Sequence, residues 1–240
     1  MHTLAFLKAC FSLVAVFALM AGRINCAVAD DIPWVWHSSG APGQSPDIAV
    51  LLDHLSLSGD AIEVRRRMRR LVVDEGVRVT PVVHVQMSFS KPPDLGPRQT
   101  HTIVRTVRAA AQRSTSGWVQ LDFEVPNRLA EYYFSLVAAI RRDLPPTIKL
   151  SVTVMASMCK GQPLEKLQAD EVVPMFFRMG ESASYYWQTL SQKPEQLNPR
   201  CRQQAGGFAI QEIPPLSVQR RYDRRYWFNY KNWDNTFKGE

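Results

Sequence analysis

Eight short strand-like segments recur along the chain with helix-like or turn-rich stretches between them, and few folds accommodate that rhythm. They run over 33–37 (PWVWH), 49–57 (AVLLDHLSL), 77–87 (VRVTPVVHVQM), 117–125 (GWVQLDFEV), 148–157 (IKLSVTVMAS), 171–179 (EVVPMFFRM), 207–212 (GFAIQE) and 225–230 (RYWFNY). Two interludes carry a helical period. In 100–113, Ile103, Val104, Val107, Ala110 and Ala111 share one face, and in 129–144 Tyr132, Tyr133, Leu136, Val137 and Ile140 do, ending at Pro145-Pro146. Strands alternating with helices favour a parallel α/β arrangement, and eight of them point to a (β/α)8 TIM-like barrel. The rival, an open doubly wound sheet, is disfavoured because no Gly-rich phosphate loop follows the first strand.

The start of the chain reads as an export signal. Met1 to Lys8 carries one lysine and no acid, 9–21 is almost unbroken apolar sequence, and Ala27-Val28-Ala29 before Asp30-Asp31 has the small-x-small form of a signal-peptidase site. The apolar run is about 13 residues, short of the roughly 20 that a spanning helix needs. A lipoprotein site at Cys26 lacks the small residues that should precede it. Cleavage after Ala29 would shorten the 240-residue chain to 211 and remove Lys8, Arg23, Cys10 and Cys26, lowering the net charge from +7 to +5. The remainder, 30–240, reads as one domain, because no linker interrupts it. With 45% hydrophobic residues and only 12 Gly, disordered and collagen-like classes are excluded.

Length then becomes a constraint. A barrel usually takes about 200 to 400 residues, so helices must be short or some must be missing. Two cysteines would remain, Cys159 and Cys201. In an exported protein they suggest one disulfide, the alternative being two buried thiols. No His/Cys/Asp/Glu group has metal-ligand spacing, so no metal and no cofactor are expected. The segment 60–73 (DAIEVRRRMRRLVV) has two readings. Asp60 and Glu63 form a capping box for a helix, while Ser58-Gly59-Asp60 equally forms a hairpin turn between alternating strands.

The stretch Gln120-Leu121-Asp122-Phe123-Glu124 carries the strongest chemical signal. Side chains alternate along a strand, so Gln120, Asp122 and Glu124 share one face and Val119, Leu121, Phe123 and Val125 the other. In a barrel the polar set faces the lumen. Crowded carboxylates raise one another's pKa, which is how a site obtains a protonated acid near neutral pH; the alternative is a hydrogen-bonded cluster that only ties the barrel together. His84 and Gln86 share a face of the third strand, Ser151, Thr153 and Ser157 one side of the fifth, and Trp34 and Trp36 lie near the end of the first. Glu212 and Asn229 end the seventh and eighth strands. Aromatic rings, amides and paired carboxylates suit a sugar, whose hydroxyls need polar partners and whose apolar faces stack on rings. Arg178, at the end of an apolar run, needs a carboxylate such as Glu124 or Glu212, or an anionic ligand.

The block from Val119 to Gly180, with VQLDFEV, KLSVTVMASMC and VVPMFFRMG, together with PWVWH, PVVHV and YWFNY, resembles a family of exported bacterial proteins, domain of unknown function family 3142. That name implies no activity. More distantly the strand order is similar to family 18 glycoside hydrolases, the chitinase-like barrels. Their fourth strand carries Asp-x-x-Asp-x-Asp-x-Glu, which falls here on Gly117, Gln120, Asp122 and Glu124, so the last two acids match and the first two are absent. Their Met-x-Tyr-Asp falls on Met175 to Arg178, and only Met175 matches. The resemblance therefore implies the barrel more strongly than the reaction.

Two readings of function follow. In one, an exported glycosidase-like barrel binds or hydrolyses an oligo- or polysaccharide at the C-terminal mouth of its strands. Glu124 and Asp122 are then the catalytic pair of a retaining glycoside hydrolase with Glu124 as acid, and Gln120, His84, Gln86, Trp36, Arg178, Glu212 and Asn229 are the substrate contacts. In the other, the barrel has lost catalysis and serves as a glycan-binding or envelope-structural module. The arginine clusters at 65–70 and 220–225 would suit nucleic acid, but export argues against that partner, leaving a solvated face or attraction to an anionic surface.

Overall fold

The computed structural model describes residues 30–37, 45–231 and 233; the expected signal segment and its cleavage site lie outside them. The elements are β1 (Asp30–Val35), β2 (Asp47–Ser58), β3 (Ala61–Arg66), β4 (Arg78–Met87), α1 (Pro97–Ala111), β5 (Trp118–Phe123), α2 (Ala130–Asp143), β6 (Lys149–Met155), β7 (Glu171–Met175), α3 (Ala183–Gln192), β8 (Ala205–Ala209), α4 (Leu216–Gln219) and β9 (Arg224–Phe228). All but β3 pair in parallel, in the order β1-β2-β4-β5-β6-β7-β8-β9, and β9 returns to β1 to close an eight-stranded barrel. The expected (β/α)8-type barrel is present, and so is its economy: β6 and β7 are joined through short 3₁₀ turns, and α4 has 4 residues.

The two long helices form for legible reasons. α1 opens with Pro97 in its first turn, where a missing N–H costs nothing, and buries Ile103, Val107, Ala110 and Ala111 on one stripe. α2 stops before Pro145-Pro146, and Arg141 donates to the carbonyls of Pro145 at 2.9 Å and Ile148 at 2.8 Å just beyond its end.

Where a helix would otherwise cross from β2 to β4, the chain builds a hairpin. β3 runs antiparallel to β2 from Ser58↔Ala61 to Asp53↔Arg66, which settles the segment after Ser58 as a strand. The turn needs Gly59 at φ +54°, a conformation that side chains with a Cβ resist. Gln99 of α1 clamps it: its buried amide donates to the carbonyls of Gly59 and Ala61 at 2.8 and 2.9 Å and accepts from the Leu95 N–H. Local propensity is balanced here, so the free edge of the 12-residue β2 decides, because unpaired strand groups gain a ladder.

Alternation sorts the side chains. Val83, Val85, Leu121, Phe123, Val152 and Val172 face the helices in the larger core, while Ile32, Trp34, Ala49, Val82, Val173, Met175 and Tyr226 fill the lumen. Gly207 on β8 is required by that filling, since a Cβ there would lie 2.8 Å from the Trp34 ring. One register shift breaks the alternation. Between Leu51 and Asp53 a bulge in β2 lets Ile48, Val50 and Leu52 face outward and then Leu55 and Leu57 as well, which turns His54 toward the mouth.

The lower lumen holds a polar network. Trp34 Nε1 donates to Gln120 Oε1 at 2.6 Å, Gln120 Nε2 to Ser151 Oγ at 3.0 Å, and Ser151 Oγ to Glu171 Oε1 at 2.7 Å. Glu171 also accepts from the Tyr226 hydroxyl at 2.8 Å and from Arg224 Nη1 at 2.8 Å. A buried carboxylate is tolerable when its acceptor sites are occupied in this way.

Candidate active site

The site lies at the C-terminal ends of the strands, above that network. β5 ends at Phe123, so the lumen-facing Asp122 is still held by the ladder while Glu124 projects one residue past it. Asp122 is 6% exposed and held at both oxygens: Oδ2 lies 2.9 Å from His84 Nδ1, and Oδ1 accepts from Thr153 Oγ1 at 2.8 Å. Thr153 is itself fixed, because its hydroxyl oxygen accepts the Phe123 N–H. Burial pulls the His84 imidazole toward its neutral form, yet the Asp122 carboxylate beside it, with a lesser pull from Glu124, outweighs burial and raises its pKa.

Glu124 is in a different situation. No hydrogen bond reaches its carboxyl among the described residues. Burial by the surrounding cleft and the negative charge of Asp122 raise its pKa above the ordinary carboxylate value, while His84 and Arg178 oppose the shift. An acid in this state holds its proton to higher pH than a solvated glutamate does and can donate it to a bound molecule.

A cleft of about 290 Å³ opens over these groups, bounded by Trp36, His54, His84, Gln86, Phe89, Asp122, Glu124, Phe177, Arg178 and Phe228. Its aromatic wall is continuous. Trp36 lies 4.6 Å from the His84 ring and 5.4 Å from Phe228, and Phe228 stacks on Phe177 at 5.7 Å. A second depression of about 270 Å³ continues past Glu124 along Met155, Ser157, Met179 and Tyr186. Glu124 therefore stands between two cavities.

Of the residues expected from the sequence, Glu124, Asp122, His84, Gln86, Trp36 and Arg178 converge on the cleft. Gln120 does not: it is fully buried below, between Trp34 and Ser151. Glu212 and Asn229 lie beyond their strands in turns. Asn229 accepts from Gln211 Nε2 at 2.7 Å and from the Lys231 N–H at 2.9 Å. Glu212 accepts the Arg178 backbone N–H at 3.0 Å and the Tyr230 hydroxyl.

Arg178 departs from the expected side-chain salt bridge. β7 ends at Met175, Arg178 turns back at φ +54°, and its guanidinium lies 4.6 Å over the Tyr230 ring and 5.8 Å over Phe228, with no ion pair to Glu124 or Glu212. Stacking on aromatic faces replaces the ion pair. Cys159 and Cys201 are disulfide-bonded, with Cα atoms 5.9 Å apart, joining the turn after β6 to the segment before β8.

Four lining residues escaped the sequence reading. His54 was hidden by the bulge, since strict alternation from Ala49 points it outward. Phe177, Phe228 and Phe89 were not among the expected site residues, and Phe89 is 96% exposed at the rim. No group of three or more potential metal ligands exists among the described residues.

No helix among the described residues is long and apolar enough to cross a membrane. No family model and no curated protein sequence matches the chain. Among solved structures, the chain is similar to the spore cortex-lytic enzyme SleL of Bacillus cereus, at 14% identity and a TM-score of 0.45 over 76% of this chain, and it spans about half (51%) of that protein's length.

Proposed function

We propose that the protein binds and hydrolyses a carbohydrate at the barrel mouth, with Glu124 as proton donor and Asp122, held by His84 and Thr153, as its partner, whose charge adds to burial in raising the Glu124 pKa. The observation that carries this reading is the contrast within two residues of β5: Asp122 is tied at both oxygens, and Glu124 is untied, with a raised pKa, between two cavities. Trp36, Phe177, Phe228 and Phe89 supply ring faces for a sugar, and Gln86 and His84 supply polar partners. In the reaction the Glu124 proton passes to the glycosidic oxygen, the bond from that oxygen to the anomeric carbon breaks, and water adds to the carbon and returns a proton to Glu124. The Cys159–Cys201 disulfide fits an oxidising, exported location for this work.

The test is release of reducing ends from a panel of bacterial glycans. Glu124→Gln should lower the rate by about 100-fold or more, the scale of a lost general acid, and equal rates would remove Glu124 from the mechanism. A second reading, binding without hydrolysis, draws support from the same geometry, because the tied Asp122 leaves Glu124 as the one unengaged carboxylate lining the cleft among the described residues. Glycan binding by the wild type with no product release would establish it.

A further inference from the structure

Beyond Trp36 and His54 the cleft opens into a depression of about 390 Å³ between the end of β1 and the exit of β3. Those two residues line both spaces, so the two form one groove. Its charge is one-sided. Arg65, Arg66, Arg67 and Arg69 line it, and no carboxylate does among the described residues. Compensation comes from outside the groove: Glu63 holds Arg65 in a two-point ion pair, and Asp53 stands 3.7 Å from Arg66. Arg67 donates to the carbonyls of Trp36 at 2.7 Å and Arg69 at 3.2 Å, and Arg69 is in no ion pair among the described residues.

Among the described residues, two acids therefore answer the three guanidiniums of Arg65, Arg66 and Arg69. His54, at the junction, registers the excess: burial first, then the positive charges of His84, Arg65 and His37, hold its pKa below the ordinary value against the opposing pull of Glu63. A concave surface lined by one sign of charge concentrates the opposite sign, and exposed guanidinium forks match carboxylate and sulfate oxygens in pairs. Met68, 94% exposed among the arginines, adds an apolar contact for the ring face of a sugar. A nucleic acid would need successive rings along the basic stretch for its bases. Among the described residues Trp36 is the only aromatic ring besides the histidines there, and it is already packed against His84 and Phe228.

We propose that this groove holds the anionic groups of the glycan whose glycosidic bond lies at Glu124, which makes the substrate class an acidic polysaccharide bearing carboxylate or sulfate. The proposal rests on the carbohydrate reading of the cleft. Affinity is measured for polygalacturonate against its methyl-esterified form and for dextran sulfate against dextran, at low and high ionic strength, with wild type, Glu124→Gln, Arg66→Gln/Arg69→Gln and a control, Arg98→Gln/Arg105→Gln, on the exposed face of α1.

At least one anionic polymer should bind more tightly than its neutral partner and weaken with salt; the polymer that does so identifies the anion. The groove variant should lose about tenfold and the control less than about twofold, as expected for directed rather than diffuse charge contacts. Equal binding of charged and neutral polymers, an unaffected groove variant, or a control that loses as much would each overturn the proposal. Tighter binding of single-stranded DNA with the same loss in the groove variant would also overturn it, in favour of nucleic acid. Neutral glycans bound or cleaved without any charge preference would reject the groove and keep the carbohydrate reading, whereas no binding of any glycan would reject both.

Discussion

Two glutamates face the lumen at opposite ends of this barrel, and their surroundings differ in nearly every respect. Glu171, the first residue of β7, accepts from Ser151, Tyr226 and Arg224, and its side chain is 1% exposed. Glu124, one residue past β5, accepts from no described residue and faces open space. A carboxylate whose partners all come from the fold can only hold the fold. One that lacks partners is available to a ligand, and at Glu124 the surrounding cleft and the Asp122 charge raise the pKa.

The largest test of that contrast is Glu171→Ala. It strands Arg224, Tyr226 and Ser151 around an empty acceptor and should cost roughly 3–5 kcal/mol in urea unfolding, whereas Glu124→Ala should stay within about 0.5 kcal/mol of wild type. Comparable losses would abolish the distinction between floor and mouth. Next in size is the Cys159–Cys201 bond. It closes a 42-residue separation, and reducing it should lower stability by roughly 2–4 kcal/mol, with neither Cys159 nor Cys201 reactive as a free thiol in the denatured, unreduced protein. Reactive thiols at both positions would show that the mouth loops are not covalently held.

The smallest and most specific effect concerns pH. In the proposed reaction protonated Glu124 is the active form, so activity should fall as pH rises through its raised pKa. The Asp122 charge contributes to that rise, so Asp122→Asn should move the alkaline limb of kcat/KM to lower pH. An unmoved limb would mean that another group sets it.

Much of the mouth was legible in the sequence because alternation is local. QLDFE places Asp122 and Glu124 on one face whatever surrounds them, and VVHVQ does the same for His84 and Gln86. The floor was not legible, since its partners lie on different strands: Glu171 meets Arg224 at a separation of 53 residues and Gln120 meets Trp34 at 86. Nothing local distinguishes a lumen glutamine that will meet a sugar from one that will meet an indole. The hairpin at β3 was equally undetermined locally, because AIEVRR satisfies a two-residue period while Asp60 and Glu63 satisfy a helix cap; the free edge of β2 and the Gln99 clamp settled it. Arg178 defied expectation because β7 stops at Met175, which turns the arginine onto rings rather than across the mouth.

The strand ladder also has two thin seams. β1 and β2 share two residue pairs before β3 takes over the edge of β2, and β7 and β8 share one. The seams divide the cylinder into two staves, five strands carrying His84, Asp122 and Glu124 and three carrying Trp36 and Phe228. At the mouth each seam is spanned by an arginine: Arg67 donates across the first to the Trp36 carbonyl, and Arg178 across the second to Glu212 through its backbone and to Tyr230 through its ring contact. The acids and the aromatic wall that face each other across the cleft thus belong to different staves, and they are held together at the mouth by these two arginine contacts as well as by the thin ladder below.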